Sequence, residues 1–416
     1  MPEQGTQGSA DATPEMLREQ GRTFRWDTVR AAPAGMLETA GLTFSILLAD
    51  RVFEAGTWAK AVLVAVPPLG LLLSLFLVQF VRRSGKSVNT VLAGIFCLSG
   101  AGFAGAALAE ERAEFYFLGM SIGLLGATMS TPLFAQIYRR HYPGDRRGRL
   151  FSVTAFVRKI FSISAAVLFG WWLSRDLGTW RWILLCFSGG SFLMAGVVLR
   201  IGTVTLNRSK MVHLFSAFRH VRDDEEFRRL LISWMFFGLG NLMCFSLFVE
   251  YITDERYGIV LGEWDISLIT SVIPEAAFLI TVLVWGPVFD RMKFYVLRAL
   301  INVFFVIAIG LYFLGDGKGF LYAGIAMHGM AKAGGNVMWS LWVTRFADGE
   351  HVAEYMSVHT FLTGCRGVLA PFLAFQMAAT LGPQMVAWIS MGMITGATLF
   401  LGRRILGLPE KGQTVR

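Results

Sequence analysis

Val88–Ala109 reads VNTVLAGIFCLSGAGFAGAALA, twenty-two residues without one charged side chain. At about 1.5 Å of rise per residue, such a helix is long enough to cross the ~30 Å hydrocarbon core of a bilayer. No water reaches that core to satisfy a backbone N–H or C=O, so a crossing segment must be a helix or part of a closed barrel. The run does not alternate apolar and polar residues, so it is not a barrel strand. Working outward from it, the same reading recurs along the chain. The expected spans are Ala32–Phe53, Trp58–Val81, Val88–Ala109, Phe115–Tyr138, Leu150–Leu173, Trp180–Leu199, Leu230–Ile252, Ile266–Phe289, Tyr295–Leu314, Phe320–Phe346, Val352–Thr380 and Gln384–Ile405. The expected fold class is therefore an all-α integral membrane protein with twelve transmembrane helices.

Composition agrees. Of 416 residues, 54% are hydrophobic and only 16% charged, and the mean hydropathy is +0.54. Disordered chains and coiled coils are excluded, and a typical soluble enzyme carries about 25% charged residues. The 45 glycines suit helices that approach one another closely in a bilayer.

Lys and Arg in the loops predict orientation. One side carries 23 of them, the other only Arg112, Arg175, Arg256 and Lys318. This places both termini in the cytosol of a multi-pass protein of the plasma (inner) membrane. The net charge of +9 is then an orientation signal. Spread over many short loops, it does not point to nucleic acid. The first 28 residues lack the apolar run of a signal peptide and are expected to form a mobile tail. Cys97, Cys186, Cys244 and Cys365 all fall inside spans, with no C-x-x-C pair, so neither a disulfide framework nor a metal site is expected. Asn207-Arg208-Ser209 is a glycosylation sequon on the expected cytosolic side, read as chance.

The expected organisation is a cytosolic tail (1–30), a six-helix bundle (31–199), a cytosolic linker (200–229), a second six-helix bundle (230–406) and a short tail (407–416). In the linker, Val212, Phe215 and Phe218 share one helical face. That suits an interfacial helix on the membrane surface, with a solvated linker as the alternative.

The two halves look duplicated. At an offset of 205, Gly119 falls on Gly324, Arg140 on Arg345 and Asp145 on Glu350. FSVTAF (Phe151–Phe156) then falls on MSVHTF (Met356–Phe361), without a gap and across a polar loop. Pro67 falls on Pro274 at an offset of 207. Repeated halves around a midplane site are a mark of secondary transporters.

The loop after span 8, Gly286-Pro287-Val288-Phe289-Asp290-Arg291-Met292-Lys293, resembles the G-x-x-x-D-R-x-x signature of the major facilitator superfamily. Its first-half counterpart, Arg82-Arg83-Ser84-Gly85-Lys86, keeps the basic residues and the glycine but lacks the acid. GTWRWILL (Gly178–Leu185) also resembles the start of that family's sixth helix. The resemblance implies two pseudo-symmetric six-helix bundles around a central cavity, working by alternating access. It also implies a gating role for Gly286, Asp290 and Arg291. A carboxylate beside the N-terminus of a facing helix, here span 5, gains roughly 0.3–1 kcal/mol from its unpaired N–H groups and dipole. The alternative is a solvated turn.

Charges within spans are costly and by default mark function. Glu275 lies about 15 Å into span 8, Lys332 about 18 Å into span 10, Arg366 about 20 Å into span 11, Arg158 and Lys159 about 12 Å into span 5, and Glu38 roughly 10 Å into span 1. On span 10, His328, Lys332, Gly335, Asn336 and Trp339 follow one face. On span 11, His359, Thr363 and Arg366 form a second stripe, and on span 7 Asn241 lies among glycines. The candidate substrate or coupling residues are Glu38, Arg158, Asn241, Glu275, His328, Lys332, Trp339, His359 and Arg366. Lys159 is expected to point elsewhere, one helical step from Arg158. Each charge has a bland alternative as one half of a structural ion pair, and each histidine as a packing residue.

Basic groups outnumber acidic ones in this set, which favours an anionic or zwitterionic solute, with arginine offering a planar fork to carboxylate or phosphate. Glu275 or Glu38 would carry a coupling proton if the transporter uses one. Multidrug export of cationic or neutral solutes is the alternative. Against it, FSISAAVLFGWWL in span 5 lacks the Gly-Pro pattern of drug–proton antiporters, while span 11 carries it only in part, with Gly364, Gly367 and Pro371. A transport-inactive receptor of the same fold is a further alternative. The chain has no P-loop, no H-E-x-x-H and no Ser–His–Asp grouping, so it does not read as an enzyme. No cofactor is expected. The expected partners are a small-molecule solute, protons and the lipid bilayer, with the protein acting as a monomer.

Overall fold

The computed structural model describes residues 14–406, except positions 56, 110–111, 208–214, 254, 260, 263–264 and 267, and except the side chains at 42, 57–61, 253 and 255. Val212 of the expected interfacial helix, most of the sequon, and the tails 1–13 and 407–416 lie outside the described residues.

The described chain is helical, and no strand occurs among the described residues. In chain order the long helices are α1 (Pro14–Thr39), α2 (Thr57–Ser84), α3 (Val88–Ala107), α4 (Ala113–Met129), α5 (Arg147–Arg175), α6 (Trp180–Val198), α7 (Glu225–Thr253), α8 (Ile273–Arg291), α9 (Phe294–Leu314), α10 (Lys318–Leu341), α11 (Val352–Leu381) and α12 (Pro383–Phe400). Each occupies one expected span. Nine helical stretches among the described residues are long and apolar enough to cross a membrane by length and composition. The first, tenth and twelfth spans are helical but fall outside that set. α1 carries charge, α10 holds Lys318, His328 and Lys332, and α12 is less apolar, with Pro383, Gln384 and several Gly, Ser and Thr.

Several helices are broken. α1 passes through a π-turn at Ala40–Phe44 into Ser45–Arg51, and another π-turn, Leu268–Val272, leads into α8. Such turns bend helices where the regular hydrogen-bond ladder is interrupted. α4 resumes after Ser130 as Thr131–His141, with Pro132 in its first turn.

Two expectations need correcting. Much of the expected tail is ordered helix, because α1 begins at Pro14 and buries Thr23, Asp27 and Arg30. The charges that made this stretch read as solvated have partners. Arg30 meets Asp27 at 2.6 Å and donates to the Tyr138 hydroxyl at 3.1 Å, while the Tyr142 hydroxyl donates to Asp27 at 2.6 Å. The linker also differs. Its described part is one 3-10 turn, Ser216–Phe218, and a helix of only five residues, Arg219–Asp223. Asp224 then accepts from Phe227 N–H at 2.9 Å, so α7 starts at Glu225, inside the expected linker.

The chain forms two compact units, Met1–Ala217 with Val343–Gly364, and Phe218–Trp342 with Cys365–Arg416. α11 is thus divided, with its first half grouping with the first unit and its second half with the second.

In the first unit, glycine sets how close the helices come. A Cβ on Gly119 of α4 would overlap the backbone of Gly102 and Ala106 on α3. Lipid gives helices no hydrophobic drive to associate, so such close van der Waals packing holds them together. The turn before α3 needs Gly85, whose φ is +65°. Asn89 then ties down the end of α6, donating to Val198 O at 2.9 Å and accepting from Val204 N–H at 3.0 Å.

The second unit repeats the device. Gly324 on α10 approaches the backbone of Tyr312 on α9, where a Cβ would lie 2.8 Å from the Tyr312 nitrogen. Gly119 and Gly324 are the pair matched by the duplication, and each seats its helix on the one before it. Trp285 of α8 donates to Met330 O at 3.0 Å, and Ser233 of α7 to Ala397 O at 2.9 Å, tying α8 to α10 and α7 to α12.

Candidate functional site

In the first unit, Glu38 of α1 meets two cations of α5. Lys159 Nζ lies 2.8 Å from one carboxylate oxygen and Arg158 Nε 3.5 Å from the other. Lys159 therefore does not point away. Its four-carbon stem spans the angle between successive helical positions, and Glu38 offers an oxygen to each cation. His359 and Thr363 also belong to this unit. His359 is buried, and its carbonyl accepts from the Thr363 hydroxyl at 2.8 Å.

The second unit holds the remaining candidates. Lys332 Nζ of α10 lies 3.5 Å from Glu275 of α8, with the side chains 41% and 26% exposed. The pair is therefore half-solvated. His328, one turn before Lys332, is buried among Phe245, Phe248 and Phe305, with ring centroids 5.8, 4.8 and 5.6 Å away. That is an aromatic packing environment. Asn241 is half-buried, and its side-chain oxygen has no hydrogen-bond partner among the described residues. Trp339 is half-buried.

Arg366 does not join Lys332 and Glu275 in an ion pair. It is 9% exposed, and its Nη1 donates to the backbone carbonyl of Trp234 on α7. Gly238 makes this possible, because a Cβ at that position would overlap the guanidinium. The expected His359–Thr363–Arg366 stripe is thus divided between the units.

The sequence reading missed Arg298, in the second turn of α9. It is 1% exposed, with its Cζ 3.5 Å above the Trp234 ring centroid and 4.3 Å from that of Phe237. The signal was available, since Arg298 lies inside span 9, but its nearness to the span edge made it look like a loop charge. Asp27 and Arg30 were missed because they precede span 1 and read as part of the tail.

The facilitator-like signature is mostly helix rather than loop. α8 runs through Gly286, Asp290 and Arg291, ending where Met292 N–H reaches Val288 O at 2.9 Å. Gly286 is buried, Asp290 half-buried and Arg291 exposed. In the first unit, Arg82 of the counterpart segment meets Glu354, in the first turn of α11, at 2.9 Å, and both are largely buried. Gln136 reinforces that contact, donating to Gly349 O at 2.5 Å and accepting from Ala353 N–H at 2.9 Å. The Ser74 and Thr360 hydroxyls bond at 2.7 Å about two turns further in.

At the opposite end of α10, Lys318 and Tyr322 both bond Asp265 ahead of α8, with the ammonium 2.6 Å away. These two donors, Lys318 first, hold the Asp265 carboxyl below its usual range.

No family model matches the sequence, and no curated protein matches it. Solved structures do. The human organic anion transporter MFSD10 (TETRAN) superposes with a TM-score of 0.68 at 14% identity, covering 94% of this chain and 100% of that one. The proton:xylose symporter XylE gives 0.65 at 15% identity, covering 93% and 96%. The E. coli fucose:proton symporter FucP gives 0.64 at 13% identity, covering 92% and 99%. The chain has the twelve-helix fold of the major facilitator superfamily. That is a multi-pass membrane-protein fold.

Proposed function

We propose that this chain is a secondary transporter that moves a small organic solute, anionic or zwitterionic, by alternating access. It works as a monomer in the plasma (inner) membrane, with both termini in the cytosol. Arg366 carries this reading. A guanidinium buried in a transmembrane helix without a carboxylate is costly and needs a use. Its partner, a helix carbonyl, neutralises no charge and is readily exchanged for an anionic oxygen. The similarity to a structure described as an organic anion transporter agrees with this choice.

Lys332 and Glu275 supply the coupling. Their 3.5 Å contact is loose enough for a substrate anion to draw Lys332 away. Glu275, left without its cation, then takes up a proton. Two of the similar structures are described as proton symporters, which supports coupling of this kind. Glu38, held by Lys159 and Arg158, provides the corresponding charge set in the first unit. Gly286, Asp290 and Arg291 act at the end of α8 as part of the gate.

Uptake into proteoliposomes tests the proposal, using labelled small organic anions beside xylose and fucose. Wild-type protein should accumulate an anion. Arg366→Lys keeps the charge but loses the planar fork, so it should weaken uptake, and Arg366→Ala should abolish it while the protein remains folded in the membrane. Normal uptake by both variants would reduce Arg366 to a structural residue. Uptake of the neutral sugars alone would overturn the anion reading.

A further inference from the structure

We infer that Arg298 and Arg366 form the two arms of one binding site, and that its ligand is an oxyanion carrying two negative charges, either a phosphate group or a dicarboxylate. This rests on the reading that Arg366 binds the anion, and it goes further by naming the charge and the second arm.

The two guanidinium groups converge on one residue. Arg298 Cζ sits over the Trp234 ring, 3.5 Å from its centroid, and Arg366 donates to the Trp234 carbonyl. Both are buried, Arg298 at 1% and Arg366 at 9% exposure. No acidic side chain among the described residues pairs with either. Arg298 Nη1 and Nη2 and Arg366 Nε are buried with no hydrogen-bond partner among the described residues. Three N–H-bearing nitrogens on two cations that both contact Trp234 therefore lack a partner among the described residues. Asn302, one turn along α9 from Arg298, donates to Thr398 at 2.7 Å, and its own oxygen has no hydrogen-bond partner among the described residues.

A structural role does not account for this arrangement. Two like charges buried together destabilise each other, and the Trp234 face compensates only one of them. Packing alone would be served better by apolar side chains of the same volume. Buried charge without compensation persists where a ligand supplies the missing part. Two arginine forks offer paired donors to two oxygens each, which matches a phosphate or two carboxylates. A single monocarboxylate would satisfy one fork and leave the other charge buried.

The test measures binding to the purified full chain, by calorimetry and by the rise in melting temperature that a native-state ligand produces. The probes are inorganic phosphate, succinate, acetate and xylose. Phosphate or succinate should bind at least about tenfold tighter than acetate, a difference of about 1.4 kcal/mol, and which of them binds tells the two sources apart. Arg298→Gln should erase that preference while acetate binding through Arg366 persists. If Arg298→Gln does not fold, wild-type protein still decides the matter. Phenylglyoxal modification of Arg298, read by peptide mass spectrometry, should then be suppressed by the preferred dianion and not by acetate. Equal binding of mono- and dianions, or a preference that survives Arg298→Gln, would overturn the two-arm site. Anion uptake in liposomes would in that case still stand. Absence of all anion binding would sink both readings.

Discussion

At the scale of single residues, space around Arg366 depends on the missing side chain at 238. Gly238→Ala adds one methyl where the guanidinium now rests. Alanine is the better helix former, so α7 should persist or gain stability. The displaced guanidinium loses its seat beside Trp234, and anion binding should weaken by at least about tenfold, about 1.4 kcal/mol. Calorimetry checks this, and unchanged affinity would mean that the position of Arg366 does not matter. Glu275→Gln separates coupling from stability. The Lys332–Glu275 pair is half-solvated at 3.5 Å, so its loss should cost only ~0–1 kcal/mol of stability. Proton-driven accumulation should nevertheless disappear while exchange of substrate across the membrane continues. A large drop in melting temperature would make the pair structural. Glu275, Lys332 and Arg366 were legible in the sequence because each interrupts an apolar run far from its ends. Arg298 was not, because a charge near a span edge looks the same whether it snorkels to water or folds inward, nor were Asp27 and Arg30, which precede span 1 and read as part of the tail.

At the scale of elements, α11 is the helix divided between the units. Its first half is held in the first unit by Arg82–Glu354, by Gln136 and by Ser74–Thr360. Removing one member of a largely buried ion pair leaves an uncompensated charge and costs ~3–5 kcal/mol, more than removing both. Glu354→Gln should therefore destabilise the observed state strongly, and adding Arg82→Gln should recover part of the loss. Melting temperatures of the two single variants and the double variant form a cycle that measures the coupling. Simple additivity would show that the pair does not act as a unit. Helix positions were legible from hydropathy because a bilayer leaves a backbone few alternatives. The Gly119–Gly324 match, read in the sequence only as a sign of duplication, falls on two positions that sit against a neighbouring backbone. Helix ends were less legible. α1 and α7 run into stretches that read as tail and linker, since buried partners or a cap extend a helix where composition alone reads as loop.

At the scale of the whole molecule, a fold shared with xylose, fucose and organic anion transporters leaves orientation to be argued from charge. Loops with 23 basic residues on one side and 4 on the other predict which side faces the cytosol. Two single-cysteine variants, in a background lacking Cys97, Cys186, Cys244 and Cys365, decide the matter. Asp316 lies in the turn between α9 and α10 and is exposed. It is a better site than its neighbour Gly317, whose φ of +88° makes any side chain strained. Lys86 lies in the turn between α2 and α3 and is also exposed. In intact cells an impermeant maleimide should label Asp316→Cys at once, and Lys86→Cys only after the membrane is opened. The reverse pattern would invert the protein, placing the Arg82–Glu354 contact on the outer side. Labelling of both from outside would break the odd count of spans, seven, between them. Substrate protection extends the measurement. If transport proceeds by alternating access, saturating substrate should change the labelling rate of a cysteine lining the solute path and leave Asp316→Cys and Lys86→Cys unchanged, because only the former changes sides during the cycle. Arg158→Cys, beside Glu38, is the position to use, and a rate indifferent to substrate there would count against its lying on the path.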